Sequence, residues 1–378
     1  MQISSAFDAG NINVIEIADR KARLSINKDH NSDFAQWFYF RLSGTPGETC
    51  TLDIENLKDS AYPDGWPGYS ACASYDRGED WFRLPTSYDK EAGVLRIEAK
   101  LERPVLWIAY FAPYSMERHH DLIAKTAACP FVKHDVLGHT LDGQPMDRFT
   151  FGEPGAGKPV CWINARQHPG ESMGEWWIEG ALEMLTDPAD PVATALRKNA
   201  VIHVMPNMNP DGSKRGHLRT NAAGVNLNRE WDNPSEEKSP EAWYVRKAMD
   251  ETGVDYCIDV HGDEAIANVF IAGFEGIPSL TDRQTKAFDH FIADMTARCP
   301  DFQTEEGYPR AEPGGWRESV CTDQVAERYD AVAMTLEMPF KDAKVNPDPE
   351  RGWSPARSKH LARHCLRSLY ATLPLLKD

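Results

Sequence analysis

Long apolar segments are missing from this sequence. No run of about 18 apolar residues, the length that a membrane-spanning helix needs, occurs in the chain of 378 residues. The opening residues, MQISSAFDAGNINVIEI, contain no basic segment followed by an apolar one. The sequence therefore predicts neither a membrane span nor a signal peptide.

Positive charge is also scarce. The chain has 41 Lys and Arg residues against 58 Asp and Glu residues, which gives a formal net charge of −17. Nucleic acids and anionic membranes bind proteins through basic surfaces, so we expect neither as a main partner. An acidic substrate would need a local basic pocket within this acidic protein.

Paired cysteines are absent. No Cys-x-x-Cys motif occurs, and several cysteines lie within apolar segments such as KPVCWIN and VDYCIDV. Dispersed cysteines in apolar surroundings are typical of buried, reduced thiols, which predicts a cytoplasmic protein without a cysteine-based zinc site. The cysteines are Cys50, Cys72, Cys129, Cys161, Cys257, Cys299, Cys321 and Cys365.

Several common enzyme motifs are lacking as well. The chain contains no His-Glu-x-x-His, no Walker phosphate loop and no Gly-x-Ser-x-Gly. The segment GEPGAGKP resembles a phosphate loop only superficially, because it lacks the Lys-Ser/Thr ending and precedes a predicted strand instead of a helix. These absences remove the main competing peptidase and nucleotide-binding interpretations.

The sequence divides into two parts that differ in their pattern of apolar and polar residues. Up to about residue 115, short apolar or alternating segments such as VIEIA, AQWFYFRLSG and VLWIAYFA are separated by turn-rich pieces. This pattern predicts an N-terminal antiparallel β-sandwich. The segment Met116–Lys125 (MERHHDLIAK) predicts a connecting helix.

From about Val132, strand-like and helix-like segments alternate. Alternation of this kind predicts an α/β/α domain with a largely parallel or mixed sheet covered on both faces. We predict an N-terminal β-sandwich domain over 1–120 and an α/β domain over 121–378. Functional groups in such α/β domains gather at the carboxyl ends of the strands.

Metal-ligand residue types occur at these strand ends. His168 and Glu171 lie in NARQHPGESMGEWW, directly after the strand candidate PVCWINA, and His261 directly follows the strand candidate VDYCIDV. Two imidazoles and a carboxylate form a suitable zinc set with one position open for water. The alternative is a strand-to-helix turn with unrelated polar side chains, which is the commoner role of a single His-x-x-Glu.

Other chemistry-bearing residues accompany the three ligand candidates. Glu337 lies in the apolar strand candidate AMTLEM, where a carboxylate is rarely buried without a role. Arg219, Asn228 and Arg229 lie in a glycine-rich, loop-like stretch, whose alternative interpretation is a solvated surface loop.

In that order, the segments HPGE, NPDG, GVNLNREW, DVHGDE and TLEM resemble the zinc metallocarboxypeptidases. The aromatic segments WFYF and YFAPYS resemble the cytosolic carboxypeptidase branch, which places a β-sandwich before the catalytic domain. The resemblance implies that one Zn²⁺ per chain is held by His168, Glu171 and His261. It also implies that Glu337 is the general base and that Arg219 polarises the scissile carbonyl.

The resemblance further implies that Asn228 and Arg229 bind the terminal carboxylate of the substrate. The expected substrates are peptide or protein C-termini, or amino acids linked to side chains, with acidic residues as one option. An acidic substrate would need additional cations in the pocket, and four further residues are candidates. The commoner role of each is a solvated surface charge. These residues are Arg215, His217, Arg317 and Lys341.

One position departs from the family pattern. Asn226 occupies the place of an aspartate that supports a zinc-bound histidine, and an amide oxygen accepts the same hydrogen bond without adding negative charge. Tyr308 and Tyr329 are the candidates, by their place in the sequence only, for a tyrosine that closes over substrate; the commoner role of either is packing. His119, His120, His360 and His364 are interpreted as surface histidines.

Two rival functions stay open from the sequence. The first is a zinc deacylase of small N-acyl amino acids, which uses related ligand chemistry. The second is a zinc-retaining binding protein with little or no turnover, an interpretation that Asn226 keeps alive. The sequence does not predict the oligomeric state.

Overall fold

The computed structural model describes residues 1–377. Two five-stranded sheets form the N-terminal part, with strand orders β1-β4-β10-β6-β7 and β2-β3-β5-β9-β8. The strands are β1 (Gln2–Ser4), β2 (Asn13–Ala18), β3 (Lys21–Ser25), β4 (Tyr39–Ser43), β5 (Thr49–Ile54), β6 (Cys72–Ser74), β7 (Phe82–Arg83), β8 (Thr86–Asp89), β9 (Val94–Lys100) and β10 (Val105–Ala109).

Alternating side chains build the core of these sheets. In β9, Leu95, Ile97 and Ala99 are buried while the residues between them are more exposed, as expected when successive side chains point to opposite faces of a strand. Aromatic residues fill much of the remaining interior, with Trp66, Tyr69 and Tyr110 in mutual contact. All strand pairs in these two sheets are antiparallel except β3 with β5, which is parallel.

A seven-stranded mixed sheet forms the centre of the second part, in the order β11-β12-β14-β13-β15-β17-β16. Its inner pairs β14-β13, β13-β15 and β15-β17 are parallel, and the outer pairs are antiparallel. Every residue of the inner strand β17 is buried, as expected for a sheet covered on both faces. The strands are β11 (Val132–His139), β12 (Pro145–Phe151), β13 (Val160–Ala165), β14 (Val201–Met205), β15 (Tyr256–Asp263), β16 (Phe270–Ala272) and β17 (Val332–Pro339).

Eight α-helices lie within the described residues. They are α1 (Met116–Ala127), α2 (Met173–Thr186), α3 (Pro191–Asn199), α4 (Pro210–Arg215), α5 (Pro240–Thr252), α6 (Asp282–Arg298), α7 (Cys321–Tyr329) and α8 (Pro355–Thr372). None of them is long and apolar enough to cross a bilayer. The predicted connecting helix is α1, which begins after Ser115, whose side chain accepts a hydrogen bond from the Arg118 N–H.

The predicted fold class is confirmed: antiparallel N-terminal sheets precede an α/β domain with a mixed sheet. The sequence did not predict α3, α4 and α7 because they are short, at nine, six and nine residues, and offer little periodicity. The proposed division at residues 120 and 121 falls within α1, and it stays a prediction.

Hydrogen bonds join the N-terminal sheets to the second part of the chain. The guanidinium of Arg83 donates to the carbonyl oxygens of Phe340, Arg351 and Trp353 at 2.9 to 3.1 Å. The Asn11 side chain donates to the Gly216 carbonyl at 3.1 Å. These contacts place the N-terminal sheets against the edge of the mixed sheet where the candidate ligands lie.

Candidate metal and catalytic site

Three of the four inner parallel strands bring the candidate residues to one edge of the mixed sheet. β13 ends at Ala165 just before His168, while His261 and Glu337 lie near the carboxyl ends of β15 and β17. His261 and Glu337 are direct partners across the parallel β15-β17 pair. Residues that are 76 positions apart in number thus become neighbours because their strands pair in register.

The turn that carries His168 and Glu171 is held tightly. Arg166 has a positive φ of 66° and is fully buried; its Nε donates to the Pro169 carbonyl at 2.9 Å. Its Nη1 donates to Glu175 at 2.5 Å. A Cβ at Gly170 would lie 2.9 Å from the Leu218 carbonyl oxygen, so the close approach of these two backbones requires glycine here.

His168, Glu171 and His261 converge to form one buried group. The Nδ1 atoms of the two histidines lie 3.1 Å apart, and the Glu171 carboxylate oxygens lie 2.8 Å from His168 Nδ1 and 2.7 Å from His261 Nδ1. One ligand atom from each residue lies within 4.8 Å of the others, so the three side chains can hold a single metal ion. The predicted local pair and distant third ligand are therefore brought together.

Hydrogen bonds behind the rings orient the histidines for metal binding. His168 Nε2 lies 3.1 Å from Asn226 Oδ1, and His261 Nε2 lies 2.7 Å from Asp259 Oδ2. Because both outer partners are acceptors, each Nε2 carries the proton and each Nδ1 presents its lone pair to the group. Two imidazole nitrogens and a carboxylate with fixed orientation fit the ligand set of a zinc ion.

The charges around the group also favour a cation. Burial and the nearby Arg219 charge lower the pKa of His168 to about 4, which keeps this imidazole neutral. Burial alone would raise the pKa of Glu171, but the two histidines outweigh it and hold that pKa below its ordinary value. For His261, Asp259 and Glu171 outweigh burial and raise the pKa, so these carboxylates stabilise positive charge at this position.

Glu337 lies at the same edge with one oxygen engaged and one free. Its Oε1 is 3.2 Å from the Tyr308 hydroxyl, which is also 2.7 Å from Asp263 Oδ2. Its Oε2 is buried and has no hydrogen-bond partner among the described residues. Burial and the nearby Glu171 carboxylate raise the pKa of Glu337 well above its usual value, despite the opposing effect of His261.

The ligand candidates and Glu337 share one cavity with the three predicted substrate-binding residues. The cavity has a volume of about 280 Å³ and is lined by Arg219, Asn228 and Arg229 as well. Asn228 Oδ1 accepts the Cys321 N–H at 2.8 Å, which leaves the side-chain amide N–H groups of Asn228 for the cavity. Partial burial and repulsion from Arg219 and Arg317 lower the pKa of Arg229, so three cations face the same space.

Four polar residues that line the cavity, and Asp259 behind His261, were missed by the sequence interpretation, and their signals differ. Asp263 and Glu264 follow His261 within the quoted motif DVHGDE and were readable there. Asp259, behind His261, was also readable, because residues two apart on a strand point to the same face. Thr335 was readable in the same way, because it lies two residues before Glu337 on β17. Tyr62 reaches the cavity from the N-terminal part without any local signal.

The two candidate tyrosines differ in their position relative to the cavity. Tyr308 lines the cavity, whereas the hydroxyl of Tyr329 donates to Asp250 at 2.7 Å and Tyr329 does not line it. Tyr329 is therefore a packing residue, which is the commoner role expected of it from the sequence, and Tyr308 remains the candidate for closing over substrate. Tyr329 is the last residue of helix α7.

Of the four additional cations, only Arg317 lines the cavity. Arg215 pairs with Asp142 at 2.7 Å. His217 and Lys341 are buried and bond to backbone groups, so the interpretation of these two as solvated charges is wrong. His119 is also buried, with Nδ1 2.6 Å from Glu175, because the connecting helix packs inward at this residue.

Family models match both parts of the chain. Residues 3–111 match the model described as cytosolic carboxypeptidase N-terminal domain, and residues 120–298 match the model described as zinc carboxypeptidase. The chain is 54% identical over 369 residues to an uncharacterised protein of Zymomonas mobilis subsp. mobilis, covering 98% of this chain and 96% of that protein.

Two further comparisons carry functional names. Human cytosolic carboxypeptidase 1 is 28% identical over 322 residues, covering 72% of this chain; the chain spans about a quarter (26%) of that protein's length. The solved structure of a metallo-carboxypeptidase from Pseudomonas aeruginosa, in complex with (2-guanidinoethylmercapto)succinic acid, is 42% identical. The match between the two structures covers 100% of each chain, with a TM-score of 0.96.

Fold, site and comparisons together define a metallopeptidase. The chain belongs to the zinc carboxypeptidase family and carries the N-terminal domain of the cytosolic carboxypeptidases. The predicted resemblance is confirmed. Proteins of this family act on peptides or proteins.

Proposed function

We propose that this protein is a zinc-dependent carboxypeptidase that holds one Zn²⁺ per chain through His168, Glu171 and His261. It would release the C-terminal amino acid of a peptide or protein, or an amino acid linked to a side chain. The observation that carries this proposal is the convergence of the two Nδ1 atoms and the Glu171 carboxylate within 4.8 Å in a cavity that also contains Glu337 and Arg219.

When bound by these ligands, zinc supplies the Lewis acidity that eases ionisation of a water molecule and polarisation of the scissile carbonyl. Glu337 acts as the general base: its unpartnered Oε2 takes a proton from the attacking water. The same carboxyl group then delivers that proton to the nitrogen of the departing amine. Burial raises the pKa of Glu337, which makes its carboxylate a better acceptor for the proton of the water.

Arg219 stabilises the negative charge that develops on the carbonyl oxygen. Its guanidinium has no hydrogen-bond partner among residues 1–377, so its donors are available to the substrate. A fixed cation in a partly water-excluded cavity stabilises such charge more strongly than water does.

Asn228 and Arg229 bind the free carboxylate of the substrate and so restrict cleavage to chain ends. Arginine offers two parallel N–H donors to a carboxylate, and the Asn228 amide adds another. The Pseudomonas aeruginosa protein binds a succinic acid derivative, a ligand with two carboxylic acid groups, which supports carboxylate recognition in this fold.

Charges of both signs line the cavity, so they do not by themselves select the side chain of the released residue. Arg317 could pair with an acidic side chain, but Asp263 and Glu264 line the same cavity. An acidic terminal residue is therefore one option within the proposal, and a screen of peptides decides it. We also propose a cytoplasmic location, because all eight cysteines are free and seven of them are buried.

The test combines metal analysis with residue release. The purified protein should contain zinc near one equivalent and release single residues from free-ended peptides but not from amidated ones. Chelation should abolish release, and zinc should restore it. His168→Ala should lose both zinc and release, whereas His360→Ala, on the surface of α8, should keep both. Full release from the chelated protein, or full zinc content in His168→Ala, would overturn the proposal.

A further inference from the structure

The loop that carries Arg219 is held by an aspartate from the N-terminal part of the chain. Asp29 is buried, and its Oδ1 accepts the Leu218 N–H at 2.7 Å. Its Oδ2 accepts the N–H groups of Arg219 at 2.8 Å and Thr220 at 3.0 Å, and the Thr220 hydroxyl at 3.1 Å. One carboxylate therefore fixes three consecutive peptide units, with Arg219 in the middle.

Two aromatic rings from the same N-terminal part flank the side chain of Arg219. The guanidinium carbon lies 5.6 Å from the centre of the Phe34 ring and 5.5 Å from the centre of the Tyr62 ring. The two rings stack on each other with centres 6.5 Å apart. Cation–π contacts of this kind limit the orientations of a guanidinium that has no carboxylate partner.

The N-terminal elements that make these contacts are themselves fixed. The Asp29 N–H donates to the Phe34 carbonyl at 2.8 Å, which closes the segment between the two residues. Gln36 bonds both the N–H and the carbonyl of Tyr62, at 2.7 and 3.1 Å. His217 accepts the His30 N–H at 3.1 Å and joins this segment to the Arg219 loop a second time.

We propose that Asp29 is a positioning residue for the reaction, and that the N-terminal domain acts on catalysis by setting where the Arg219 guanidinium lies. The inference rests on the role of Arg219 in the proposed function. Asp29 does not line the cavity, so it acts through the Arg219 backbone while Phe34 and Tyr62 orient the side chain. The N-terminal sheets are then part of the active-site construction.

The chemistry gives the direction and size of the effect. Asp29→Asn keeps the shape but replaces one of two acceptor oxygens with an N–H₂ group, which faces N–H donors and cannot accept from them. The Arg219 loop then loses charge-assisted hydrogen bonds. Small displacements of a transition-state donor can cost about 100-fold in rate, so we expect kcat to fall roughly 10- to 100-fold with little change in KM.

The experiment uses the full-length zinc-loaded protein and two readouts. Hydrogen exchange measures the amides of 218–220, and steady-state kinetics on a C-terminal release substrate gives kcat per bound zinc. Asp29→Asn is compared with the control Asp33→Asn, an exposed residue of the same segment that pairs with Lys28 at 2.7 Å. Both substitutions are also made in an Arg219→Ala background.

The expected result is faster exchange at 218–220 and a lower kcat in Asp29→Asn, with neither change in Asp33→Asn. In the Arg219→Ala background, Asp29→Asn should cost less than threefold further, because the group it positions is already gone. Unchanged exchange, or an equal loss of kcat with and without Arg219, would overturn the inference.

Two further measurements keep the test decisive. If Asp29→Asn folds poorly, Phe34→Leu takes its place, because it removes one of the two rings beside Arg219. This variant should lower kcat only when Arg219 is present. A loss of kcat that persists in the Arg219→Ala background would count against the inference. If the wild-type protein releases no C-terminal residue, the proposed function fails. The exchange comparison then still decides whether Asp29 holds the loop.

Discussion

His261 and Glu337 are direct partners across the parallel pair β15-β17, so a metal-ligand candidate and the proposed general base lie side by side at one sheet edge. This register places Glu337 next to His261, and the buried Glu337 Oε2 has no hydrogen-bond partner among residues 1–377. Groups carried on paired strands are held more precisely than groups on loops, which suits a reaction that needs fixed geometry.

Glu337→Gln should separate metal binding from turnover. The amide keeps the size of the side chain but cannot take a proton from water, while His168, Glu171 and His261 remain. We expect zinc content to stay at the wild-type level and kcat to fall by roughly 10²- to 10⁴-fold. Metal analysis and residue-release kinetics on the same sample measure both. Wild-type activity in this variant would exclude Glu337 as the base.

Arg229→Lys should weaken the distinction between free and amidated peptide ends. Lysine keeps the positive charge but cannot make two parallel hydrogen bonds to a carboxylate. The ratio of kcat/KM for free-ended over amidated peptides should therefore fall about tenfold or more. Arg215→Lys is the matched control, because Arg215 pairs with Asp142 outside the cavity. An unchanged ratio in Arg229→Lys would place carboxylate recognition elsewhere.

Asn226→Asp should strengthen zinc binding. The Asn226 Oδ1 accepts from His168 Nε2 at 3.1 Å, and a carboxylate oxygen there would make the imidazole a stronger ligand. We expect zinc affinity to rise about tenfold, measured by competition with a chelator. Asp259→Asn, behind His261, removes such a charge and should lower affinity by a similar factor. A lower affinity in Asn226→Asp would show that the amide is the better partner at this site.

Glu241 should make stability depend on pH. This α5 residue is buried, with Oε2 accepting from Asn221 at 3.1 Å and Oε1 unpartnered, and burial raises its pKa to about 8. Between its ordinary pKa near 4.5 and about 8, the folded protein holds a proton that the unfolded chain has released. The free energy of unfolding should therefore decrease as pH rises through this window, by a few kcal/mol on an order-of-magnitude basis.

Denaturant unfolding at pH 5 and pH 8.5 measures this effect. Glu241→Gln should be about equally stable to the wild type at the lower pH and more stable at the higher one. Glu251→Gln, an exposed residue of the same helix, is the control and should follow the wild-type pH dependence. A wild-type pH dependence in Glu241→Gln would assign the titration to another group.

Local patterns predicted the strands and helices that carry the site. The strands around His168, His261 and Glu337 are apolar segments long enough to identify, and all three residues follow or end such segments. Short helices such as α7 carry too little periodicity for the same treatment, so the sequence did not place Tyr329 on a helix. His119 was misjudged because its burial depends on α2, which packs against it from 56 positions away.

The sequence by itself determined the residue types available for chemistry, the strand ends on which they lie, and the family to which they point. Only the tertiary structure decided that Asp29, Phe34 and Tyr62 surround the Arg219 loop. The physical reason is the distance along the chain over which each kind of interaction acts. Hydrophobic periodicity and turn chemistry act over a few neighbouring residues, whereas hydrogen bonds between distant segments exist only after the sheets have packed.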